Sequence, residues 1–368
     1  MFKMRSGTMT GEGVEMRIGF VIHTIGLMGG TERTCCAVIN GLVEKADITL
    51  IEVVSEGPPA YFLDDRIQRD ILSSKHVSLL WSAPSLILRL CQLIKSRNLE
   101  TLVVVESTHA LYAVAAARLA GIRCIVWEHF NYTVDLGKKK RRWGRAIAAK
   151  WANDVVTLTH RDQTLWQQKA RPRAQMHCIP NMAPPVSEKP YDVAARTVLA
   201  LGRLSPQKGF DRLLEAWRLI ERDPRSEGWR LMIVGDGPQK AMLTEQAATL
   251  AHASVGPAQK DVATLFGQAG LMACSSRFEG LPMVMLEAAA FGVAIVAFDC
   301  ETGPAEILVP GKTGLLVPQD DVAGLAEGLL SLMADPETRL AFSQNGKDRM
   351  ALFSRDHVLS LWGKMLGL

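Results

Sequence analysis

The chain has 368 residues, 48% of them apolar and 22% charged, the balance of a soluble globular protein with room for two domains. This excludes collagen-like, disulfide-stapled and disordered chains, and no run approaches the roughly 18 uninterrupted apolar residues of a membrane-spanning helix. The net charge of +4 is uneven: residues 1–184 carry 24 Lys and Arg against 16 Asp and Glu, while residues 185–368 carry 18 against 22. A basic half joined to an acidic half points to one domain that meets an anionic surface or partner.

Residues 1–15 are polar and Gly-rich, without the apolar core of a secretory signal, and read as a disordered leader with Met16 as an alternative start. Short apolar runs at 17–23, 47–54, 101–106, 122–127 and 154–159 then read as buried strands. Between them, 31–44, 85–98, 108–120 and 138–152 read as helices. The pattern breaks at Ile179-Pro180-Asn181-Met182-Ala183-Pro184-Pro185, the expected linker. It restarts with strands at 197–201, 230–234, 270–274, 293–298 and 314–317, and with helices at 209–222, 239–250, 282–291, 321–333 and 336–352. This order predicts an α/β protein of two doubly wound units, 16–184 and 185–355, facing across a cleft, followed by a helix at 356–368. Ligands of such sheets sit beyond the carboxyl ends of the strands. Seven cysteines without Cys-x-x-Cys spacing fit a reducing compartment, and the expected location is cytoplasmic.

Four motifs carry chemistry. Gly26-Leu27-Met28-Gly29-Gly30-Thr31-Glu32-Arg33 leads from the first strand into a helix, where glycines let backbone N–H groups approach a phosphate. It is neither the dinucleotide fingerprint nor a P-loop, and a plain tight turn remains open. Arg203 and Lys208, in Gly202-Arg203-Leu204-Ser205-Pro206-Gln207-Lys208-Gly209, flank a helix entry and suit a diphosphate clamp; solvated loop charges are the alternative. Ile233-Val234-Gly235-Asp236-Gly237-Pro238 is a second glycine turn, in which Asp236 equally suits a helix cap.

The most informative segment is Ser275-Ser276-Arg277-Phe278-Glu279-Gly280-Leu281-Pro282-Met283-Val284-Met285-Leu286-Glu287. Pro282 suits a helix start, leaving the backbone N–H groups of Gly280, Leu281, Met283 and Val284 free to meet an anion, with Glu279 and Glu287 roughly 80° apart around the axis. Carboxylates there accept hydrogen bonds from vicinal hydroxyls; a helix cap and a core ion pair are the plainer alternatives.

Together these residues resemble the retaining glycosyltransferases of family 4, also called glycosyltransferase group 1, with the two-Rossmann GT-B fold. The resemblance rests on Glu279 and Glu287 with seven residues between them, on Gly202-Arg203 with Lys208-Gly209, on Val234-Gly235-Asp236-Gly237-Pro238, on Ile179-Pro180-Asn181 and on Glu128-His129-Phe130-Asn131. It implies catalytic roles for Glu279, His129, Arg203 and Lys208. Gly29, Gly30, Arg203, Lys208, Glu279, Gly280, Leu281, Pro282, Met283, Val284 and Glu287 would hold a nucleotide-sugar donor. Within that set Arg203 and Lys208 would meet the diphosphate, Glu279 the sugar and Glu287 the ribose. His129 would stand on the acceptor side; a half-buried histidine buttressing the strand end is its alternative. The reaction implied is retaining hexosyl transfer from a nucleotide-diphospho-sugar, UDP favoured over GDP, to a glycan or polyprenyl-diphosphate-linked acceptor in bacterial surface polysaccharide synthesis. No cofactor is expected, and no Asp-x-Asp is present to hold a metal on the donor. The resemblance also implies that the last helix crosses back to the first domain.

Lys138, Lys139, Lys140, Arg141, Arg142, Trp143, Arg145 and Trp151 form a basic stretch with tryptophans at helical spacing, which reads as a helix lying on an anionic membrane surface. Nucleic acid is not the expected partner, and a solvated helix with its tryptophans packed on the sheet is the plain alternative. The chain would then work at the inner face of the cell membrane. Two rival functions stay open: another GT-B enzyme, such as a sugar-nucleotide epimerase or an inverting transferase, and a non-catalytic nucleotide-sugar-binding protein.

Overall fold

Runs of Val, Ile and Leu without polar alternation become strands covered on both faces, and Thr101–Val105 is buried at every position. A computed structural model describes residues 16–73 and 82–368; the leader expected at 1–15 lies outside the described residues. The first half holds β1 (Met16–Ile22), β2 (Ala46–Val54), β3 (Gln68–Ser73), β4 (Thr101–Val105), β5 (Arg123–Trp127), β6 (Asp154–Thr157) and β7 (Gln175–Cys178), in sheet order β3-β2-β1-β4-β5-β6-β7. The second holds β8 (Thr197–Leu201), β9 (Arg230–Val234), β10 (Ala253–Gly256), β11 (Leu271–Cys274), β12 (Ala294–Asp299) and β13 (Gly314–Pro318), in order β10-β9-β8-β11-β12-β13. Every pairing among these strands is parallel: Phe20 lies opposite Leu50 and Val103, and Leu199 opposite Met232 and Met272. Two doubly wound α/β units are thus present, as the strand–helix alternation predicts.

In each sheet the order reverses once, between β1 and β4 in the first and between β8 and β11 in the second. At such a switch point the loops leaving neighbouring strands diverge and open a crevice. The loops after β8 and β11 are those that carry Lys208 and Glu279.

Six strands and α-helices escape the periodicity: β3, β7, β10, the short helices Val262–Gly267 and Pro304–Ile307, and the longer helix His160–Lys169. The three strands are sheet edges, short and half exposed, so none of them offers a continuous apolar run. In the longer helix only Asp162 and Trp166 are buried.

The helix Arg355–Leu366 starts on Ser354, whose hydroxyl accepts from the His357 N–H. Its Trp362 is fully buried against the rings of Phe20 and Trp127 in the first half, with centroids 6.3 and 4.7 Å away. Arg123 of β5 donates to the Met365 carbonyl at 2.9 Å. One apolar cluster accordingly runs from Phe20 and Trp127 through Trp362 to Met285 and Leu286 of the second half.

Candidate active site

The loop after β8 closes on the loop after β11 through a glycine. Gly209 has φ +62°, and a Cβ there would strike the carbonyl oxygen of Ser275. This approach sets the Lys208 ammonium 2.6 Å from Glu279 Oε1. The Ser276 hydroxyl donates to the same oxygen at 2.7 Å. Burial alone would lower the pKa of Lys208, but the Glu279 carboxylate raises it on balance, so the lysine stays cationic. The Glu279 carbonyl accepts from Thr302 Oγ1 at 2.6 Å and from Asn131 Nδ2 at 3.3 Å, the second bond coming from the opposite half.

Glu279 does not cap the following helix. That helix spans Met283–Ala290, with Pro282 at its N-cap and no side chain bonding its first N–H groups. An uncapped helix start is positively polarised and suits an anion. Pro282 stands one position before the helix rather than inside its first turn, because its own ψ of 104° is extended.

Across the cleft, Gly29 caps the helix Gly30–Leu42. A Cβ added at Gly30 would meet nothing within 4 Å, so space opens there. A Cβ at Gly280 would strike the carbonyl of His129, so glycine is needed where the two halves touch. A cavity of about 260 Å³ lies between them, lined by Gly30, Thr31, His129, Lys208, Glu279 and the run 280–284. His129 is buried on Trp127, ring centroids 4.5 Å apart, and its Nε2 has no hydrogen-bond partner among the described residues. Burial pulls its pKa down to about 4, against a smaller opposing pull from Glu128, so the ring is neutral at pH 7.

Lys208, Glu279, Gly280, Leu281, Pro282, Met283, Val284, Gly30 and His129 therefore share one cavity, whereas Gly29, Arg203 and Glu287 are not part of its wall. Arg203 is exposed. Glu287 is buried and forms an ion pair with Arg33 from the first half. Ser276, Asn131 and Thr302 hold Glu279 without being among the expected site residues; Ser276 and Asn131 lie inside the Glu279 and His129 motifs, whereas Thr302 has no local signal.

The basic stretch divides in two. Lys138, Lys139, Arg142, Trp143 and Trp151 are exposed and Lys140 is half-buried, on or beside the helix Lys139–Trp151. Trp143 is 50% and Trp151 42% exposed, so neither packs on the sheet. Arg141 and Arg145 do not join this surface, contrary to their expected place in it. Arg145 is buried, donating to Glu128 at 3.1 Å and to the carbonyls of Tyr132 and Val134 at 2.5 and 2.7 Å. Arg141 lies 3.9 Å over the Phe130 ring and 3.7 Å from Glu106. Glu128 and two carbonyls claim Arg145, and the Phe130 ring and Glu106 hold Arg141, which a run of charges in sequence does not reveal.

Two facing doubly wound domains with a lysine, a glutamate and a helix start converging at their seam define a GT-B-type glycosyltransferase architecture. The chain belongs to glycosyltransferase family 4: residues 28–185 match the model of Glycosyltransferase Family 4, and residues 188–349 that of Glycosyl transferases group 1. It is 32% identical over 349 residues to an uncharacterized glycosyltransferase of Haemophilus influenzae, covering 93% of this chain and 96% of that one. It is 28% identical to the amylovoran biosynthesis glycosyltransferase AmsD of Erwinia amylovora, covering 94% and 98%. Among solved structures, Anabaena Alr3699/HepE in complex with UDP superposes with a TM-score of 0.77 at 19% identity, covering 96% of this chain and 100% of that one.

Proposed function

We propose that this glycosyltransferase moves a hexosyl unit from a nucleotide-diphospho-sugar, a UDP-sugar by preference, to a hydroxyl of a glycan or polyprenyl-diphosphate-linked acceptor, with retention at the anomeric carbon. The observation that carries this reading is the Lys208–Glu279 contact at 2.6 Å in a cavity walled by the run 280–284. As the glycosidic bond breaks, negative charge grows on the diphosphate while the anomeric carbon becomes positive. Lys208 and the uncapped helix start meet the first, aided by Arg203 when the donor brings it into reach. Glu279 holds sugar hydroxyls, and Glu287 the ribose once Arg33 yields. The acceptor hydroxyl attacks from the leaving-group side, and its proton passes to a phosphate oxygen. Neutral His129 offers the acceptor side a hydrogen bond without charge.

We take the transfer to need no cofactor or metal, since the chain has no Asp-x-Asp. The relative that serves amylovoran biosynthesis supports a role in bacterial surface polysaccharide synthesis. No helix among the described residues is long and apolar enough to cross a membrane. The exposed Trp143 and Trp151, bordered by Lys138, Lys139, Arg142 and Lys150, support peripheral docking on an anionic inner-membrane face.

Melting shifts against UDP- and GDP-sugars, with and without EDTA, test the donor. A ligand at about 100 times its Kd adds about 2.7 kcal/mol of stability. A shift with UDP-sugars that survives EDTA is expected; no shift with either series overturns the donor assignment. On anionic vesicles, neutralising Lys138, Lys139, Lys140 and Arg142 is expected to weaken binding by about 1 kcal/mol per charge. Undiminished binding overturns the docking surface.

A further inference from the structure

Besides Arg33 and Glu287, a second cluster joins the two halves. His160 opens the helix His160–Lys169, Cys178 ends β7, and Glu306 lies in the turn of helix Pro304–Ile307 of the second half. A ring nitrogen of His160, the Cys178 Sγ and a carboxylate oxygen of Glu306 all lie within 4.8 Å of one another. His160 Nδ1 and Glu306 Oε1 are 2.5 Å apart, and the His160 backbone N–H donates to Glu306 Oε2 at 3.1 Å.

Each ligand stands on a fixed backbone. Thr159 caps the His160 helix by accepting from the Asp162 N–H at 3.1 Å. Cys178 lies opposite Thr157 in the β6–β7 ladder. Arg349 clamps the carbonyls of Glu306 and Ile307 at 2.8 and 2.7 Å. A preset trio of nitrogen, sulfur and oxygen donors is the ligand set of zinc, and the thiolate disfavours magnesium and calcium.

We propose that His160, Cys178 and Glu306 bind a zinc ion that ties the two domains together, with solvent at the fourth position beside the exposed His160. Zinc bonds of about 2.0–2.3 Å reach all three after small side-chain rotations. On binding, the Cys178 thiol gives its proton to solvent, a metal–sulfur bond forms, and nothing is oxidised or reduced. The site bears on the reaction through the backbone. Thr302, four residues before Glu306, holds the Glu279 carbonyl, and a Cβ at Gly303 would fall 2.7 Å from Pro282 Cδ and 3.1 Å from Glu279 Cβ. An ion at the seam therefore holds the closed arrangement and slows the opening that donor exchange requires. It is separate from the donor cavity and does not depend on which sugar is transferred.

The test uses the full chain, titrated with Co2+ as a spectroscopic probe and then with Zn2+. One equivalent of Co2+ should give a thiolate-to-metal charge-transfer band that Zn2+ abolishes. Cys178→Ser should remove the band, and His160→Ala should weaken binding by at least about 10–100-fold, the range seen even for outer-shell metal partners. Cys91→Ser, at a half-buried thiol elsewhere, should change neither. Hydrogen exchange at 158–164 and 303–308 should slow with Zn2+ in the unaltered chain and not in Cys178→Ser. The absence of a band, a band that persists in Cys178→Ser, or bound Zn2+ without slowed exchange at the seam would overturn the proposal.

Discussion

Two cation–carboxylate pairs stand on either side of the cleft, Arg145–Glu128 in the first half and Lys208–Glu279 in the second. Their surroundings differ in saturation. Glu128 also accepts from the Ser107 hydroxyl at 2.5 Å and from the N–H groups of His129 and Phe130 at 3.0 and 3.1 Å, and Arg145 spends its other donors on two carbonyls. Their side chains are 2% and 0% exposed, and nothing is left over for a ligand. Lys208 is 17% exposed, gives one of its three donors to Glu279, and looks into a cavity. A pair whose bonds are all internal orients the chain, whereas a pair with bonds to spare is free to meet a substrate. Here Arg145–Glu128 fixes the turn that presents His129, and Lys208–Glu279 keeps donors to spare at the cavity wall.

Removing one partner from each pair should break them in different ways. Arg145→Ala leaves Glu128 buried and uncompensated and should cost about 3–5 kcal/mol of folding stability, read as a fall in urea midpoint. A midpoint near that of the unaltered chain would mean that Glu128 finds other compensation. Lys208→Ala should instead act on turnover, with a loss of about 2.7–4 kcal/mol in transition-state stabilisation, roughly a hundred- to a thousandfold in kcat. Its melting point should fall less than that of Arg145→Ala. Arg203→Ala, at an exposed cation, should lose less turnover than Lys208→Ala; the reverse order would place the diphosphate on Arg203.

The paired core strands were legible because burial on both faces demands long apolar runs. The edge strands were not: Gln68–Ser73 and Gln175–Cys178 need an apolar face on one side only. The helix His160–Lys169 had a local signal in Thr159 followed three residues on by Asp162, but too few apolar residues to show a period. At the site, Glu279 and Lys208 were readable because a charge among Gly and apolar residues demands a partner. The pairing of Glu287 with Arg33 was not, since those two residues meet only when the halves close, 254 positions apart. The same holds for Arg141 and Arg145: their sequence neighbours are cations, while their partners Glu106 and Glu128 come from the ends of β4 and β5.

The first half also balances its charges by burial, and this yields the smallest effect. Burial pulls the pKa of His109 down to about 3, helped by His23, Lys140 and Arg141, and that of His129 to about 4. Burial raises Glu106 to about 7, against Arg141, and Asp162 to about 7, against the Tyr132 N–H. Between about pH 4.5 and 6.5 the unfolded histidines bind more protons than the folded ones, so stability from the histidines rises with pH. In the same window the folded acids bind more protons than the unfolded ones, so stability from the acids falls with pH. Each group contributes at most about 1.4 kcal/mol per pH unit, and the two kinds oppose each other. The urea midpoint of the unaltered chain should therefore change little across this window. His109→Gln with His129→Gln should make it fall as pH rises, and Asp162→Asn should make it rise. If both variants kept the flat profile, these groups would be hydrated rather than buried, and His129 would take up a proton in this window.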